Sequence, residues 1–527
     1  MSTDTIRPAT EQPREPAIPP GPAVVIGMLA LAAALGVGHL VAGLVSPASS
    51  PFLAVGDTVI RFSPQWLTEF AKATFGLADK PVLLAGIAVV SAAIAAAAGL
   101  ASRRRAAVGL VVVAVLGVLG LAAVGFAPVF GPRDLAAPVA ALATGLLVFS
   151  GLHALAVRAH RPDGTDRRAG PSRRAVLVGS SSAVALAALG AGAGGLTRAG
   201  VDDSRRRVTA WLAGPRLAER APGIPAGAAF PELGTPTFLT SNRDFYRIDV
   251  ALRVPALRAD DWTLRVHGMV DNPFTLTFGD LLARPLVERT VTMTCVSNPV
   301  GGNLVSTANF VGVDLRDLLV EAGVRRGADQ ISSTSVDGWY TGTPTEVLLE
   351  PGRGGLLAIG MNGEALPPEH GFPVRMVVPG LYGYVSATKW VVDMEATTFA
   401  ATPGYWSERG WAPRAPIKTQ ARIDAPRGFA TVPAGRVVVA GTAWSQPTGV
   451  DRVEVRMDGG PWRDAVLSTE VSGDTWRMWR AEFDLAPGGH TVQARATDGD
   501  GLTQTERRTD PIPDGASGWP AILFTAA

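Results

Sequence analysis

The chain has 527 residues, of which 47% are hydrophobic and 18% are charged, and its formal net charge is +2. This composition is too apolar for a purely soluble protein and too polar for one embedded wholly in a membrane, so it predicts several domains of mixed type. The small net charge argues against nucleic acid as a partner, and the single cysteine excludes disulfides, iron–sulfur clusters and cysteine zinc sites within the chain.

The first part of the chain has the pattern of a membrane protein. Residues 1–21 are rich in proline and are predicted to form a disordered cytoplasmic tail. Five nearly uncharged runs of about 20 residues follow, which matches a hydrocarbon core roughly 30 Å thick. These runs are Pro22–Val45, Pro81–Leu100, Ala106–Phe126, Leu135–Val157 and Ala175–Leu196. We therefore expect an all-α transmembrane bundle of about five helices over residues 22–196.

Basic residues set the expected orientation of this bundle. They cluster after the second run, at Arg103–Arg105, and after the fourth run, between Arg158 and Arg174. The positive-inside rule then puts the N-terminus in the cytoplasm and everything after the fifth run outside. The segment Ser172–Leu177, with its paired arginines, resembles a twin-arginine export signal, although positive-inside flanking would explain the same pair.

Two globular regions are predicted to follow. Residues 197–410 mix short alternating runs, such as Trp262–Val266, with helix-like pieces, such as Leu315–Ala322, and this predicts an α+β domain. A linker rich in tryptophan and proline, Gly404–Lys418, comes next. Residues 418–527 contain strand-like segments separated by turn signals, which predicts an immunoglobulin-like β-sandwich.

Cys295 stands between a strand-like run and a loop, a position that suits a reactive residue. The strand-like run Thr290–Thr294 leads directly into it, and Asn298–Gly302 follows as a loop. A thiolate at the end of a strand suits a metal ligand or a nucleophile. A lone cysteine is also commonly a buried, unreactive residue, and composition alone favours that alternative.

Residues from about 235 to 520 resemble the sulfite oxidase family of molybdenum enzymes. The resemblance is carried by separated motifs that occur in order along the chain. They are Thr240–Asp249, the Cys295 loop with Ser306–Gly312, Asp337–Thr341, Met361–Gly380, Ser386–Trp390, Ala443–Ser445, Arg452–Gly460 and Trp476–Trp479. The resemblance implies a molybdenum–molybdopterin cofactor whose metal is held by one protein thiolate, and it implies oxygen-atom transfer as the reaction.

The resemblance also implies roles for single residues. Cys295 matches the metal ligand, Arg247 a substrate-side cation, and Tyr340 a tyrosine near the metal, although a core aromatic is an equal alternative for Tyr340. The remaining matched residues are expected to bind the cofactor. They are Asn242, Tyr246, His370, Arg375, Ser386, Thr388 and Lys389, with Arg247 and Cys295 contributing here too.

The chain departs from the family at two expected substrate arginines. Pro299 follows Asn298 where the family has an arginine, and no arginine stands among Gln446–Gly449. We therefore expect a membrane-anchored, extracytoplasmic oxidoreductase acting on a small, sulfite-like oxyanion. A reductase of sulfoxides or related oxides, a non-catalytic tethered binding protein, and a transport or quinone module are the alternatives.

Two partners remain to be named at this stage. An electron-transfer partner is implied but not identified. A homodimer formed through the sandwich is implied by the resemblance, and Trp444, Trp476 and Trp479 could supply its aromatic interface. The same three tryptophans could instead fill the sandwich core.

Overall fold

A computed structural model of the protein describes residues 17–45, 49–75, 78–127, 130–159, 181, 198–214 and 217–527. The chain divides into two compact units, Met1–Ala199 and Gly200–Ala527. The predicted fifth apolar run and the candidate export signal lie outside the described residues, apart from Ser181.

The regular elements of the first unit are all helices in its described residues. Its helices are α1 (Pro20–Val45), α2 (Pro51–Phe62), α3 (Gln65–Phe75), α4 (Asp79–Ala101), α5 (Ala106–Gly125) and α6 (Ala136–Ala159). Helices α1, α4 and α5, together with the segment Pro132–Ala159 that contains α6, are long and apolar enough to cross a membrane. These four correspond to the first four predicted runs, and the segment between the first two runs forms α2 and α3.

Small residues let helices α1 and α4 approach closely. A Cβ atom placed on Gly27 would lie 2.0 Å from the backbone oxygen of Ala95, and one on Gly99 would lie 2.1 Å from that of Ala23. Such backbone contact is how helices associate where lipid removes the hydrophobic driving force between them. At Gly27 and Gly99 the two helices therefore pack through small residues, and one turn away Arg103 joins their ends by donating from Nε to the Ile18 carbonyl at 2.8 Å.

The boundary between the units falls in a helix over residues 198–212, here α7, and the second unit continues as two sheets with short helices. The first sheet has the order β2-β1-β10-β5-β6, and the second has the order β3-β4-β7-β8 with β9 paired to β7. The strands are β1 (Thr263–Gly268), β2 (Phe274–Thr277), β3 (Leu286–Thr294), β4 (Val305–Asp314), β5 (Gln330–Ser335), β6 (Tyr340–Pro344), β7 (Leu356–Met361), β8 (Glu364–Ala365), β9 (Arg375–Val377) and β10 (Val391–Thr397). The helices are α8 (Phe278–Leu282), α9 (Leu315–Ala322), α10 (Thr345–Leu349) and α11 (Gly383–Ser386).

Local sequence explains helix α9, which connects β4 of the second sheet to β5 of the first. Asp314 caps α9 by accepting a hydrogen bond from the Arg316 amide, and Gly323, at φ +66°, ends the helix in the left-handed region. Leu315 and Leu319, on the buried face of α9, join the main apolar core of the unit. The predicted helix Leu315–Ala322 is thus confirmed.

The rest of the second unit is all β in its regular elements. Two sheets, β11-β13-β17-β16 and β12-β19-β18-β14-β15, contribute alternate side chains to one apolar core, to which β13 gives Val439, β14 Val453 and β18 Ala494. The strands are β11 (Gln420–Ala425), β12 (Thr431–Val432), β13 (Gly435–Trp444), β14 (Val450–Met457), β15 (Arg463–Asp464), β16 (Val466–Leu467), β17 (Arg477–Leu485), β18 (Gly488–Asp498) and β19 (Ala521–Ala526). We call this part the sandwich; its immunoglobulin-like type and the boundary near residues 410–418 stay predictions.

The three tryptophans considered for a dimer interface lie inside the chain. Trp444, Trp476 and Trp479 are 1%, 2% and 0% exposed. Trp476 donates from Nε1 to the Phe238 carbonyl at 2.9 Å, and both Trp444 and Trp476 belong to the main core of the α+β part. They therefore offer no surface to a second copy, and the predicted homodimer keeps only the family resemblance as support.

Candidate active site

The strand β3 presents Cys295 at its end. It pairs antiparallel with β4, with Thr294 opposite Val305. Beyond the pair, the Cys295 amide donates to the Leu304 carbonyl at 3.0 Å. The loop between them is closed by Asn298, whose Oδ1 accepts from the Leu304 amide at 2.9 Å. Gly302 is required here because a Cβ would lie 2.3 Å from that Oδ1 atom.

Cys295 borders a cleft with an interior volume of about 110 Å³. Half of the predicted site residues line it, and the other lining residues are mostly aromatic or apolar. The lining comprises Phe245, Tyr246, Ile248, Asp249, Val250, Met293, Cys295, Ser335, Asp337, Trp339, His370, Arg375, Gly383, Tyr384, Ala387, Lys389, Trp390 and Trp406. Trp339 and Trp390 were missed as site residues although both stand within matched motifs.

Arg375, on β9, is a buried cation bonded to carbonyl groups. It is 4% exposed and donates to the carbonyl of His370 at 3.1 Å and to that of Met376 at 3.3 Å. Within the part of the chain that the structure describes, no carboxylate forms an ion pair with it. Burial lowers the pKa of Arg375 to about 10. Because a buried unpaired charge is costly, this guanidinium is suited to an anionic ligand.

His370 is held neutral beside Arg375. Its Nε2 lies 2.9 Å from the Asn242 carbonyl, which can only accept, so Nε2 carries the proton. Burial, aided by Arg375, lowers the pKa of His370 to about 4. The Asn242 side chain turns the other way, donating to Glu364 Oε1 at 2.6 Å and accepting from Asn362 at 2.9 Å. Asn242 therefore orients His370 through its backbone.

Lys389 lines the cleft with its charge compensated. Its ammonium forms an ion pair with Asp249, a carboxylate only 5% exposed, and donates to the Glu369 carbonyl at 3.0 Å. Arg247 binds the same carboxylate, with Nε 2.5 Å from Oδ2. Arg247 is 48% exposed and does not belong to the cleft lining. Among the described residues, the cations that line the cleft are thus Lys389 and Arg375.

The two predicted tyrosines occupy different places. Tyr246 lines the cleft, and burial, together with nearby Cys295, raises its pKa well above the usual range, so its hydroxyl stays protonated. Tyr340 donates to Glu408 Oε2 at 2.9 Å, and burial raises its pKa to about 12. Tyr340 lies outside the cleft lining and reaches the lining residue Trp406 only through the ring of Tyr405.

Ser386 and Thr388 are buried behind the cleft wall. The Ser386 hydroxyl donates to the carbonyls of Leu381 and Tyr382, each at 3.1 Å. The Thr388 hydroxyl lies 2.7 Å from that of Ser333. Neither residue belongs to the cleft lining, so their predicted contacts with a cofactor phosphate stay predictions.

The donor set fits a metal cofactor that brings most of its own ligands. Among the described residues, no three His, Cys, Asp or Glu side chains stand close enough to hold a metal ion. Near the cleft, three buried polar atoms have no hydrogen-bond partner: Thr294 Oγ1, Ser335 Oγ and Trp339 Nε1. A thiol at the border, a buried cation and unsatisfied polar groups match an anionic, polar cofactor coordinated through one sulfur.

Comparisons with known proteins agree with this arrangement. Residues 251–406 match the family model described as the oxidoreductase molybdopterin binding domain. The mitochondrial sulfite oxidase of Rattus norvegicus is 33% identical over 298 residues, which are 47% of this chain and 54% of that protein. The sulfite oxidase of Gallus gallus is 32% identical over 300 residues, which are 49% of this chain and 62% of that protein.

A bacterial relative is matched over most of its length. The uncharacterized oxidoreductase YuiH of Bacillus subtilis (strain 168) is 37% identical over 150 residues, which are 28% of this chain and 72% of that protein. By contrast, the chain spans little more than half the length of the rat sulfite oxidase. The residues that match the family model, 251–406, include most of those that line the cleft.

Proposed function

This chain belongs to the sulfite oxidase family of molybdopterin-dependent oxidoreductases, and from that premise we propose a membrane-anchored enzyme that transfers an oxygen atom to or from a small substrate. It is an oxidoreductase, and its cofactor is molybdenum–molybdopterin. The observation that carries the proposal is that Cys295 and the buried cation Arg375 line the same cleft.

Different residues of the cleft would bind different parts of the cofactor. When bound, the cofactor supplies two-electron oxygen-atom chemistry. Cys295 would bind the metal through Sγ, and Arg375 would bind an anionic part of the cofactor by charge-assisted hydrogen bonds. Neutral His370, fixed by the Asn242 carbonyl, would add no positive charge beside Arg375. Tyr246 would offer a protonated hydroxyl over the cleft.

We propose a small oxyanion of the sulfite type as the substrate, with weaker binding than a dedicated sulfite oxidase achieves. Lys389 and Arg247 share one carboxylate, Asp249, so neither brings a full unpaired charge to the substrate. Losing one charge-assisted contact costs about 1.5–3 kcal/mol, or roughly ten- to a hundred-fold in affinity. Reduction of a sulfoxide or related oxide is the second candidate, favoured by the aromatic lining that includes Trp339, Trp390 and Trp406.

One purification tests the class of protein and the direction of reaction. Full-length protein is assayed for molybdenum and pterin, then for turnover with sulfite plus an artificial acceptor and with a sulfoxide plus a reduced viologen. We expect stoichiometric molybdenum and turnover in one direction. Protein that folds with its cleft intact but takes up no molybdenum would instead favour a non-catalytic, tethered binding protein.

We also propose a topology, with the N-terminus in the cytoplasm, the second unit outside, and export by the twin-arginine route. The distribution of arginines and the pair Arg173-Arg174 support this proposal. Exported reporter activity, measured in a fusion after Leu196, should fall when both arginines are replaced by lysine. Unchanged export would refute the route, and a cytoplasmic reporter in the unaltered fusion would refute the topology.

The homodimer stays a proposal that the family resemblance supports. Its test is the mass of the detergent-solubilised protein at micromolar concentration, corrected for bound detergent. A monomeric mass would count against pairing through the sandwich.

A further inference from the structure

The strand that leads to Cys295 lies at the edge of its sheet, and loops of the sandwich cover that edge. The sheet order β3-β4-β7-β8 leaves one side of β3 without a strand. At Thr292, two sandwich loops fill this side. The Thr292 amide donates to the Asp474 carbonyl at 3.0 Å, and Gln446 Nε2 donates to the Thr292 carbonyl at 2.8 Å. The Trp476 amide donates to Thr292 Oγ1 at 2.8 Å.

The other side of the cysteine loop is held by the same part of the molecule. Arg422, on β11, donates from a terminal nitrogen to the Gly302 carbonyl at 3.4 Å. Asp424 fixes this guanidinium, with its Oδ1 2.6 Å from Nε, and both side chains are nearly buried. Cys295 therefore lies between two points, Thr292 and Gly302, that the sandwich contacts.

Gln446 contacts β3 through a buried hydrogen bond donated by its side-chain amide. Gln446 is 3% exposed and Thr292 is 1% exposed, so water cannot replace a lost hydrogen bond there. Among the described residues the Gln446 Oε1 atom has no hydrogen-bond partner, so Nε2 is the polar atom of this side chain that bonds to the rest of the fold. A long polar side chain buried for one hydrogen bond to the strand before Cys295 indicates a positioning role.

We propose that the sandwich positions the Cys295 thiolate, with Gln446 as the main positioning residue. This proposal rests on the proposed function in one respect, namely that Cys295 is the metal ligand. The thiolate then depends on a domain other than the one that supplies the rest of the cleft. Loosening the Gln446 contact should leave the fold intact and let the segment around Cys295 move.

The chain offers a matched control in Gln420. This residue is 4% exposed, and its Nε2 donates to the Ala516 carbonyl at 2.6 Å within the sandwich. Gln446→Met and Gln420→Met therefore each remove one buried amide donor to one backbone carbonyl. Only the first of these hydrogen bonds ends on β3.

The experiment compares the two full-length variants with the wild type. Hydrogen exchange is measured over residues 286–304, and the rate of iodoacetamide labelling is measured on cofactor-free protein, where Cys295 is the only thiol. In loaded protein, the Mo(V) paramagnetic resonance spectrum provides a third readout. We expect Gln446→Met to change exchange and labelling by at least about three-fold and to shift the spectrum, while Gln420→Met changes none of them at a similar loss of unfolding midpoint.

Equal effects in the two variants, or no effect in Gln446→Met, would overturn the proposal. If Gln446→Met does not fold, Thr292→Val serves instead, because it removes the acceptor for the Trp476 amide and keeps the side-chain shape. Thr307→Val is then the control, because both variants lose the hydrogen bond between the Thr292 and Thr307 hydroxyls and only the first loses the contact with the sandwich. Failure of the proposed function is seen separately, as the absence of molybdenum in the wild type or as full activity in Cys295→Ser. Exchange and labelling report on the positioning whether or not the cofactor binds.

Discussion

The two units of this protein differ in the kind of residue that they bury. In α1 the buried residues are glycine and alanine apart from Ile26, and the helix contacts α4 through backbone atoms. In the second unit, the cleft contains buried groups such as Arg375 and His370, each with defined partners. Small residues suffice to pack helices, whereas a reactive site needs polar groups that the fold orients at a cost in stability.

The largest expected effect is a loss of activity without a loss of folding in the second unit. Cys295→Ser should reduce turnover by roughly a thousand-fold or more, because a hydroxyl is a poor substitute for a soft thiolate ligand. Folding should be preserved because the Cys295 backbone bonds to Leu304, and a serine hydroxyl can keep the side-chain hydrogen bond to Ser297. Turnover and molybdenum content, with circular dichroism as a check on folding, measure this. Full activity in the variant would remove Cys295 as the ligand.

The second prediction concerns pH and the buried His370. The pKa of His370 is about 4 in the folded protein and 6.5 in the unfolded chain. As the pH falls, the unfolded chain therefore takes up the proton first. Stability is then lost between pH 6.5 and pH 4, by about 3 kcal/mol at the lower end. Denaturant unfolding of the wild type and His370→Gln at pH 7 and pH 4.5 measures the difference.

The variant should lose this part of the pH dependence and keep the rest. Asp474 acts in the opposite sense, because burial raises its pKa to about 6 and folding then favours its protonated form below that pH. Comparison of the two proteins cancels that contribution. Identical pH slopes would show that His370 is not held neutral.

Much of the fold could be predicted because the relevant patterns are local. Apolar run length indicated the four helical segments that are long and apolar enough to cross a membrane, and alternation indicated strands such as Val450–Met457. The motifs also brought Cys295, His370 and Arg375 to one cleft. What could not be predicted depends on residues far apart in sequence, such as Asp249 bonded to Lys389 and Gln446 bonded to Thr292. No local pattern tells which buried carboxylate compensates a given lysine.

The third prediction concerns the stability that the protein loses by burying the charge of Arg375. Arg375→Met should raise the unfolding midpoint of the cofactor-free protein, because an apolar side chain replaces a buried unpaired charge. The same variant should retain cofactor roughly ten- to a hundred-fold less well, since a charge-assisted contact of about 1.5–3 kcal/mol is lost. Thermal unfolding and molybdenum content together test this. A variant both less stable and fully loaded would show that Arg375 serves the fold alone.

The last prediction tests the other side of the comparison, the helix crossing. Gly27→Ala puts a Cβ 2.0 Å from the Ala95 backbone oxygen, so α1 and α4 must move apart, at an expected cost of roughly 1–3 kcal/mol. Gly86→Ala is the control, because a Cβ at that position on α4 meets no atom within 4 Å. The control should be neutral or slightly stabilising, since alanine is the better helix former. Unfolding of the purified protein in detergent, followed by limited proteolysis of the first unit, measures both variants. If Gly27→Ala unfolds like the control, close backbone contact does not stabilise this crossing.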